Sequence, residues 1–180
     1  MAEEVGMIVI TAEAIAARVR ELGAELADAY AGREPVLVAI MKGCVVFLAD
    51  LVRAWPGPMD LEFVSAESYD GARAGRLRLE LPPDFGRRVA GRPVLVVDDI
   101  CDTGGTLAAV QGAIRALGPA EVRTLVLLRK HRDTSMCMPT RRCPDWVGFE
   151  IEDRFVVGYG LDYRGRYRNL PYVAFLRMDP

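Results

Sequence analysis

The residues with the clearest chemical content lie in one stretch, Asp98-Asp99-Ile100-Cys101-Asp102-Thr103-Gly104-Gly105-Thr106. Two carboxylates follow four consecutive β-formers, Val94 to Val97, and a glycine pair flanked by threonines comes just before a predicted helix, about Leu107 to Leu117. Backbone N–H groups exposed by the glycines and by a first helical turn, with the hydroxyls of Thr103 and Thr106, form a cradle for a phosphate dianion that the helix dipole favours further. Carboxylates cannot bind that phosphate. They suit neutral hydroxyls such as those of a ribose, or a divalent cation, so the turn points to a phosphorylated sugar rather than to a triphosphate alone. It lacks the Gly-Lys-Ser/Thr of a Walker A loop and the spacing of a Gly-x-Gly-x-x-Gly fingerprint. The plainer alternative is a Gly-rich turn with an aspartate as N-cap.

A second signal is compositional. Of 23 basic residues only Lys42 and Lys130 are lysine. A lysine offers a compact, rotatable ammonium where arginine offers a planar fork, which makes both positions candidates for a specific role. Cys44 and Cys101 sit in apolar runs and read as small core residues, whereas Cys137 and Cys143, six residues apart near the only histidine, His131, leave a zinc or redox site open beside a surface loop.

Stepping from these residues to what must hold them, the apolar series Ile15, Val19, Leu22, Leu26, Tyr30 has the spacing of an amphipathic helix over Thr11 to Ala31, with Thr11 as N-cap and Gly32 beyond its end. Val36 to Met41 is a continuous apolar run typical of a strand buried on both faces. Lys42-Gly43 breaks it before a second helix, about Cys44 to Trp55. Further strands are predicted at Met59 to Ser65, Val94 to Val97, Val122 to Leu128, Trp146 to Ile151 and Phe155 to Tyr163. Glu67 to Arg92 loses the buried pattern and reads as a solvated excursion or a short hairpin around Leu77 to Leu81. This alternation predicts an α/β fold, a central mostly parallel sheet flanked by helices, as a single domain over residues 1–180. Ligands of such sheets bind outside the carboxyl ends of the strands, which directs attention to the breaks after Met41, Val97 and Leu128.

Composition narrows the function classes. With 51% apolar and 27% charged residues the chain can bury a sizeable core, and a net charge of −2 gives no global field for a nucleic-acid backbone. The longest uncharged stretch, Thr103 to Ile114, is far shorter than the ~20 residues of a membrane helix. The acidic start, Met1-Ala-Glu-Glu, is unlike a basic targeting signal, and a cytoplasmic location is expected.

The segment Val94 to Thr106 resembles the phosphoribosyl pyrophosphate signature of the type I phosphoribosyltransferases. Met41 to Leu51 and Phe155 to Tyr163, with Tyr167-Arg-Asn-Leu-Pro171, resemble the hypoxanthine (hypoxanthine-guanine) members in particular, and the likeness runs from about residue 8 to 176. The resemblance implies a small hood built from the terminal segments, and transfer of ribose 5-phosphate from phosphoribosyl pyrophosphate to N9 of a 6-oxopurine with Mg²⁺. Asp102 to Thr106 would hold the 5-phosphate, Asp98 and Asp99 would face the ribose hydroxyls, and Asp102 would be the general base near N7. Met41, Lys42 and Gly43 would meet the pyrophosphate, in a turn where that family often has a non-proline cis peptide. Arg168 would also bind pyrophosphate. Asp98, Asp99 and Asp162 would serve Mg²⁺, with Asp162 also at the purine. Lys130 would donate to the purine O6, Phe155 would stack on the base and the Val156 backbone would read its edge. Ser68-Tyr69 would open a lid, expected to be mobile from Ser68 to Arg88. A homo-oligomer, dimer or tetramer, is expected, with no nucleic-acid or membrane partner.

Two features depart from the family pattern. Asp98 stands where that family often has Glu, and His131 to Pro144 is unlike its usual short charged link; with Met136 and Met138 it is an alternative subunit or RNA contact. The rival functions are a regulator that senses phosphoribosyl pyrophosphate on the same fold, and transfer to xanthine or another base. A net charge of −2, the expectation of no spare domain and the presence of Asp102, Lys130 and Asp162 together oppose the first, and Lys130 with Phe155 favours 6-oxopurines over other bases.

Overall fold

The computed structural model describes residues 3–68, 77–131 and 143–178. In chain order its elements are β1 (Glu3–Ile10), α1 (Ala12–Ala29), β2 (Val36–Met41), α2 (Val45–Ala54), β3 (Asp60–Ser68), β4 (Leu77–Glu80), α3 (Phe85–Val89), β5 (Pro93–Cys101), α4 (Gly105–Arg115), β6 (Glu121–His131), β7 (Trp146–Glu152), β8 (Val156–Val157) and β9 (Val173–Met178). A six-stranded sheet has the order β4-β3-β2-β5-β6-β7, parallel except for β4, and a three-stranded antiparallel sheet has the order β1-β9-β8.

The central strands are apolar on both faces because both faces are covered. Leu37, Ala39, Leu95, Val97, Leu125 and Leu127 pack in one core with α1 and α2 residues such as Leu22, Leu26, Phe47 and Leu51. The alternate positions Val36, Val38, Ile40, Val94, Val96 and Val126 pack in a second core with Phe85 and Val89 of α3 and Val110 and Ile114 of α4. The period of two in a strand assigns each residue to its side. Thr11 caps α1 as predicted, its hydroxyl accepting from the Ala14 N–H at 3.3 Å.

Strand order fixes where a ligand can go. From β2 the chain proceeds outward to β3, then returns to β5 and proceeds the other way through β6 to β7. The reversal opens a crevice between the carboxyl ends of β2 and β5, so Met41-Lys42 and Asp98 to Thr106 meet there.

Several expectations change. β5 runs on through Asp98 and Asp99 to Cys101, so the acid pair sits on the strand and not in the turn; its parallel partners Val126 and Leu128 continue the ladder past the polar residues. Likewise β6 extends to His131 and carries Lys130 within it, paired beside Ile151, with no break after Leu128. Of Phe155 to Tyr163 only Val156–Val157 is strand, because Gly158, Tyr159 and Gly160 all take positive φ; isolated bridges follow. The small sheet gathers the two terminal segments into the expected hood and adds β1 and β9 to the strands expected from the sequence. Ser68 to Arg88 is not one loose stretch. Ser68 pairs with Leu77 at the base of the β3–β4 hairpin, and Phe85 is buried in α3. Tyr69 and the lid residues to Arg76 lie outside the described residues, as do Met136, Cys137 and Met138.

Leu125, fully buried at the centre of the first core, tests this packing. Leu125→Ala should lower unfolding free energy by about 2–5 kcal/mol with little change in urea m-value. A cost below roughly 1 kcal/mol would mean that the core is not packed as described.

Candidate active site

The crevice at the reversal point is a cavity of about 350 Å³, lined by Met41, Lys42, Gly43, Asp98, Asp99, Asp102, Thr103, Gly104, Gly105, Thr106, Asp162 and Arg168 among others. A second cavity of about 250 Å³ is lined by Asp99, Ile100, Asp102, Lys130, Phe155, Val156, Leu161 and Asp162. The two share Asp99, Ile100, Asp102 and Asp162. Of the sequence-derived site residues, those from Met41 to Gly43, Asp98, Asp99, Asp102 to Thr106, Lys130, Phe155, Val156, Asp162 and Arg168 thus line one or both; Tyr69 lies outside the described residues. Ser68 ends β3.

At the start of α4, Gly104 is the N-cap residue with φ of +73° and no side chain caps the helix. Gly104 to Leu107 at this helix start line the larger cavity, where a helix N-terminus suits an anion. Thr103 shapes the turn, its Oγ1 accepting from the Gly105 N–H at 3.4 Å.

Asp98 is only 7% exposed, and its Oδ1 accepts from the Asp99 N–H at 3.0 Å; Asp99 Oδ1 accepts from the Ile100 N–H at 2.7 Å. Burial pushes the Asp98 carboxyl well above the usual carboxylate range, and the adjacent Asp99 carboxylate adds to that; burial also raises Asp99. Such a pair favours a proton or a cation. Its all-oxygen donors suit Mg²⁺, and among the described residues no three acidic, His or Cys groups form a cage. That fits an ion held by one or two carboxylates with the remaining oxygens supplied by substrate and water.

The turn after β2 passes directly over this pair. The Met41–Lys42 peptide is cis, and a Cβ on Gly43 would fall 1.5 Å from Asp99 Oδ2. From the hood side Gly160, at φ +100°, leaves no more room: its Cβ would fall 2.1 Å from the Gly43 carbonyl oxygen. Arg168 then joins the hood residues together, donating to the Gly160 carbonyl at 2.6 Å and pairing with Asp162 at 2.6 Å, while Asp162 Oδ2 accepts from the Gly165 N–H at 2.7 Å. Arg168 is half-buried and part of the site, which sets it apart from a solvated arginine face.

In the smaller cavity the Lys130 ammonium lies 3.4 Å from Asp102 Oδ2 and 3.2 Å from Asp153 Oδ1. Phe155 is 41% exposed, a platform and not a core residue, and it meets Tyr163 edge-on with ring centroids 5.5 Å apart. Sequence reasoning missed Asp153 and Tyr163, and also Tyr159, whose hydroxyl donates to Asp50 Oδ2 at 2.5 Å and ties the hood to α2. Burial pushes the Tyr159 hydroxyl above its ordinary pKa. Only a glycine-rich, tyrosine-rich segment marked that region, with nothing to indicate the partners. Of the described cysteines, Cys44 and Cys101 are buried and Cys143 is exposed. No helix among the described residues is long and apolar enough to cross a membrane.

Comparison with known proteins places this arrangement. The family model described as phosphoribosyl transferase domain matches residues 9–164. The hypoxanthine-guanine phosphoribosyltransferase of Mycobacterium avium is 36% identical over 98% of this chain and 87% of its own length, and that of Bacillus subtilis 34% over 98% and 96%. The bifunctional protein TilS/HprT of Listeria innocua is 33% identical, but the chain spans only 27% of that protein's length. A hypoxanthine phosphoribosyltransferase structure from Trypanosoma cruzi, in complex with the product IMP, superposes with a TM-score of 0.83 at 34% identity, covering 96% of this chain and 95% of that one.

The raised pKa of Asp98 gives a test in EDTA. A carboxyl that keeps its proton longer when folded makes the native state bind more protons than the unfolded chain above the unfolded aspartate value of about 3.9, so stability falls as pH rises through that window. Asp98→Asn removes this fall. The Tm advantage of Asp98→Asn over the unaltered chain should therefore grow as pH rises from about 4. A Tm difference constant with pH would show that Asp98 is not destabilised by ionisation.

Proposed function

The chain belongs to the phosphoribosyltransferases, in the company of the hypoxanthine-guanine enzymes, and from that premise we propose that it moves the 5-phosphoribosyl group of phosphoribosyl pyrophosphate to N9 of hypoxanthine or guanine in purine salvage. The observation that carries this reading is the pair of joined cavities, one with an anion-binding helix start and buried acids, the other with an exposed aromatic and a lysine, meeting at Asp99, Ile100, Asp102 and Asp162.

In this reading the 5-phosphate sits against the backbone from Asp102 to Thr106, and Asp98 and Asp99 take the ribose hydroxyls. Lys42 and Arg168 contact the pyrophosphate, Arg168 with a fork that matches two phosphate oxygens. Asp98 and Asp99 are the residues that would hold one Mg²⁺ and Asp162 would lie near a second; Mg²⁺ bound there would neutralise charge on the departing pyrophosphate. Phe155 stacks on the purine, the Val156 backbone reads its edge and Lys130 donates to O6. Purine N9 bonds to the ribose carbon as the bond from that carbon to pyrophosphate oxygen breaks, the electron pair leaving with pyrophosphate. The proton on N7 passes to Asp102. Closure over the site, with Ser68 and Tyr69 as the start of a lid, keeps water from the oxocarbenium-like carbon.

The reading includes a single domain acting in the cytoplasm and a homo-oligomer, dimer or tetramer. Exposed Val45, Leu61 and Phe63 supply apolar surface for the second.

Two experiments test this. Pyrophosphate release measured with hypoxanthine, guanine, xanthine, adenine and a pyrimidine should show a 6-oxopurine as best acceptor. Adenine should be disfavoured by as much as ~10⁴-fold in kcat/KM, since Lys130 offers donors only and the adenine amino group would face them; equal use of adenine and hypoxanthine would remove the Lys130 role. Asp102→Asn should lower kcat by ~10² to 10⁴ with affinity for phosphoribosyl pyrophosphate nearly unchanged, and normal turnover would end the general-base assignment.

A further inference from the structure

Among the described residues Lys130 lies between two carboxylates, each just past the end of a strand that flanks its own. In the sheet β6 lies between β5 and β7. Cys101 pairs with Arg129 across β5–β6, which brings Asp102 beside Lys130, and Lys130 pairs with Ile151 across β6–β7, which brings Asp153 just beyond it. The ammonium thus has a carboxylate from each neighbouring strand, Asp102 at 3.4 Å and Asp153 at 3.2 Å, and its side chain is only 12% exposed. Asp102 lines both cavities; Asp153 lines neither.

A lysine that must select between a carbonyl and an amino group has a design problem. Its stem has several rotatable bonds, so an unanchored ammonium can swing away from the wrong base. Asp102 cannot be the sole anchor, because the proposed mechanism requires it to face the N7 proton, and a carboxylate closed on an ammonium is a poorer proton acceptor. We propose that Asp153 is a positioning residue for base selection: it holds the Lys130 ammonium at the purine cavity when Asp102 turns to the base, so that one residue can discriminate while the other accepts the proton. The inference rests on the reading of Lys130 as the donor to O6. Asp153 needs no contact with substrate to do this, and its place in the turn just before Phe155 ties the anchor to the same turn as the stacking ring.

The test is a double-substitution cycle with Asp153→Asn, Lys130→Met and the pair, measuring KM for hypoxanthine, KM for phosphoribosyl pyrophosphate, the hypoxanthine-to-adenine ratio of kcat/KM, and Tm. Asp153→Asn should raise the hypoxanthine KM by roughly three- to tenfold and lower the base ratio by about tenfold, while the phosphoribosyl pyrophosphate KM stays within about twofold. In the Lys130→Met background the same change should have almost no further effect on base use, and Asp153→Glu should restore part of the ratio. If Asp153→Asn leaves hypoxanthine KM and base ratio unchanged while Lys130→Met alters both, Asp153 does not position Lys130 and the inference fails alone. Independent effects in the cycle, or equal losses for both substrates, would likewise overturn it in favour of a general structural role. If Lys130→Met itself leaves base selection intact, the reading of Lys130 falls and the inference falls with it. Asp153→Ser, measured in the same cycle, covers a failure of the Asn variant to fold.

Discussion

Space around one carboxylate organises this molecule. Asp99 Oδ2 occupies the position where a side chain on residue 43 would be, and the carbonyl of Gly43 in turn occupies the position where a side chain on residue 160 would be. Three segments distant in sequence, the end of β5, the turn after β2 and the hood loop, are therefore stacked in direct backbone-to-side-chain contact at the crevice. The acid pair could not be placed there by chemistry alone, since burying two neighbouring carboxylates disfavours their charge. The sheet enforces it: Val94 to Val97 are fully buried between two helical layers, and the ladder with β6 continues through the acidic residues.

From that arrangement the division of labour follows. The reversal of strand order opens the crevice, the start of α4 gives it a positive end, and the buried acids give it a cation-seeking side. Hood residues complete it from above, with Arg168 and Asp162 paired with each other at its edge. The second cavity reuses Asp102 from the same turn, so donor and acceptor are brought together by one short segment instead of by two independent binding sites. Proximity of this kind is a large part of what an enzyme can supply for a transfer between two small molecules.

Local physics explains which parts were legible in the sequence. Val36 to Met41 and the helices α1 and α2 have strong periodicity and clear breaks, and their bounds agree with the structure to within two residues. The Asp98 to Thr106 turn was visible because its residue types are costly anywhere but at a site. Its strand character was not, because aspartate is a poor strand former and only the partner strand β6, some 28 residues on, keeps it extended. The hood sheet, the Tyr159–Asp50 hydrogen bond across 109 residues and the Asp153–Lys130 pair all depend on contacts between distant segments. No local pattern encodes them. Phe155 shows the converse: an apolar run alone does not separate a core aromatic from an exposed ring, and the fold leaves this one 41% exposed.

The central claim is that Gly43 is there for space over Asp99, and not for backbone freedom. Gly43→Ala isolates that cause, because alanine adds one methyl where the structure leaves 1.5 Å. Isothermal titration of phosphoribosyl pyrophosphate with Mg²⁺ into both proteins, with circular dichroism and Tm as controls, reads it directly. The account predicts a folded protein whose affinity falls by at least ~100-fold, an effect of about 2.7 kcal/mol, as the Asp99 carboxylate or the Lys42 turn is displaced. Affinity within about twofold of the unaltered chain, less than roughly half a kcal/mol, would contradict it.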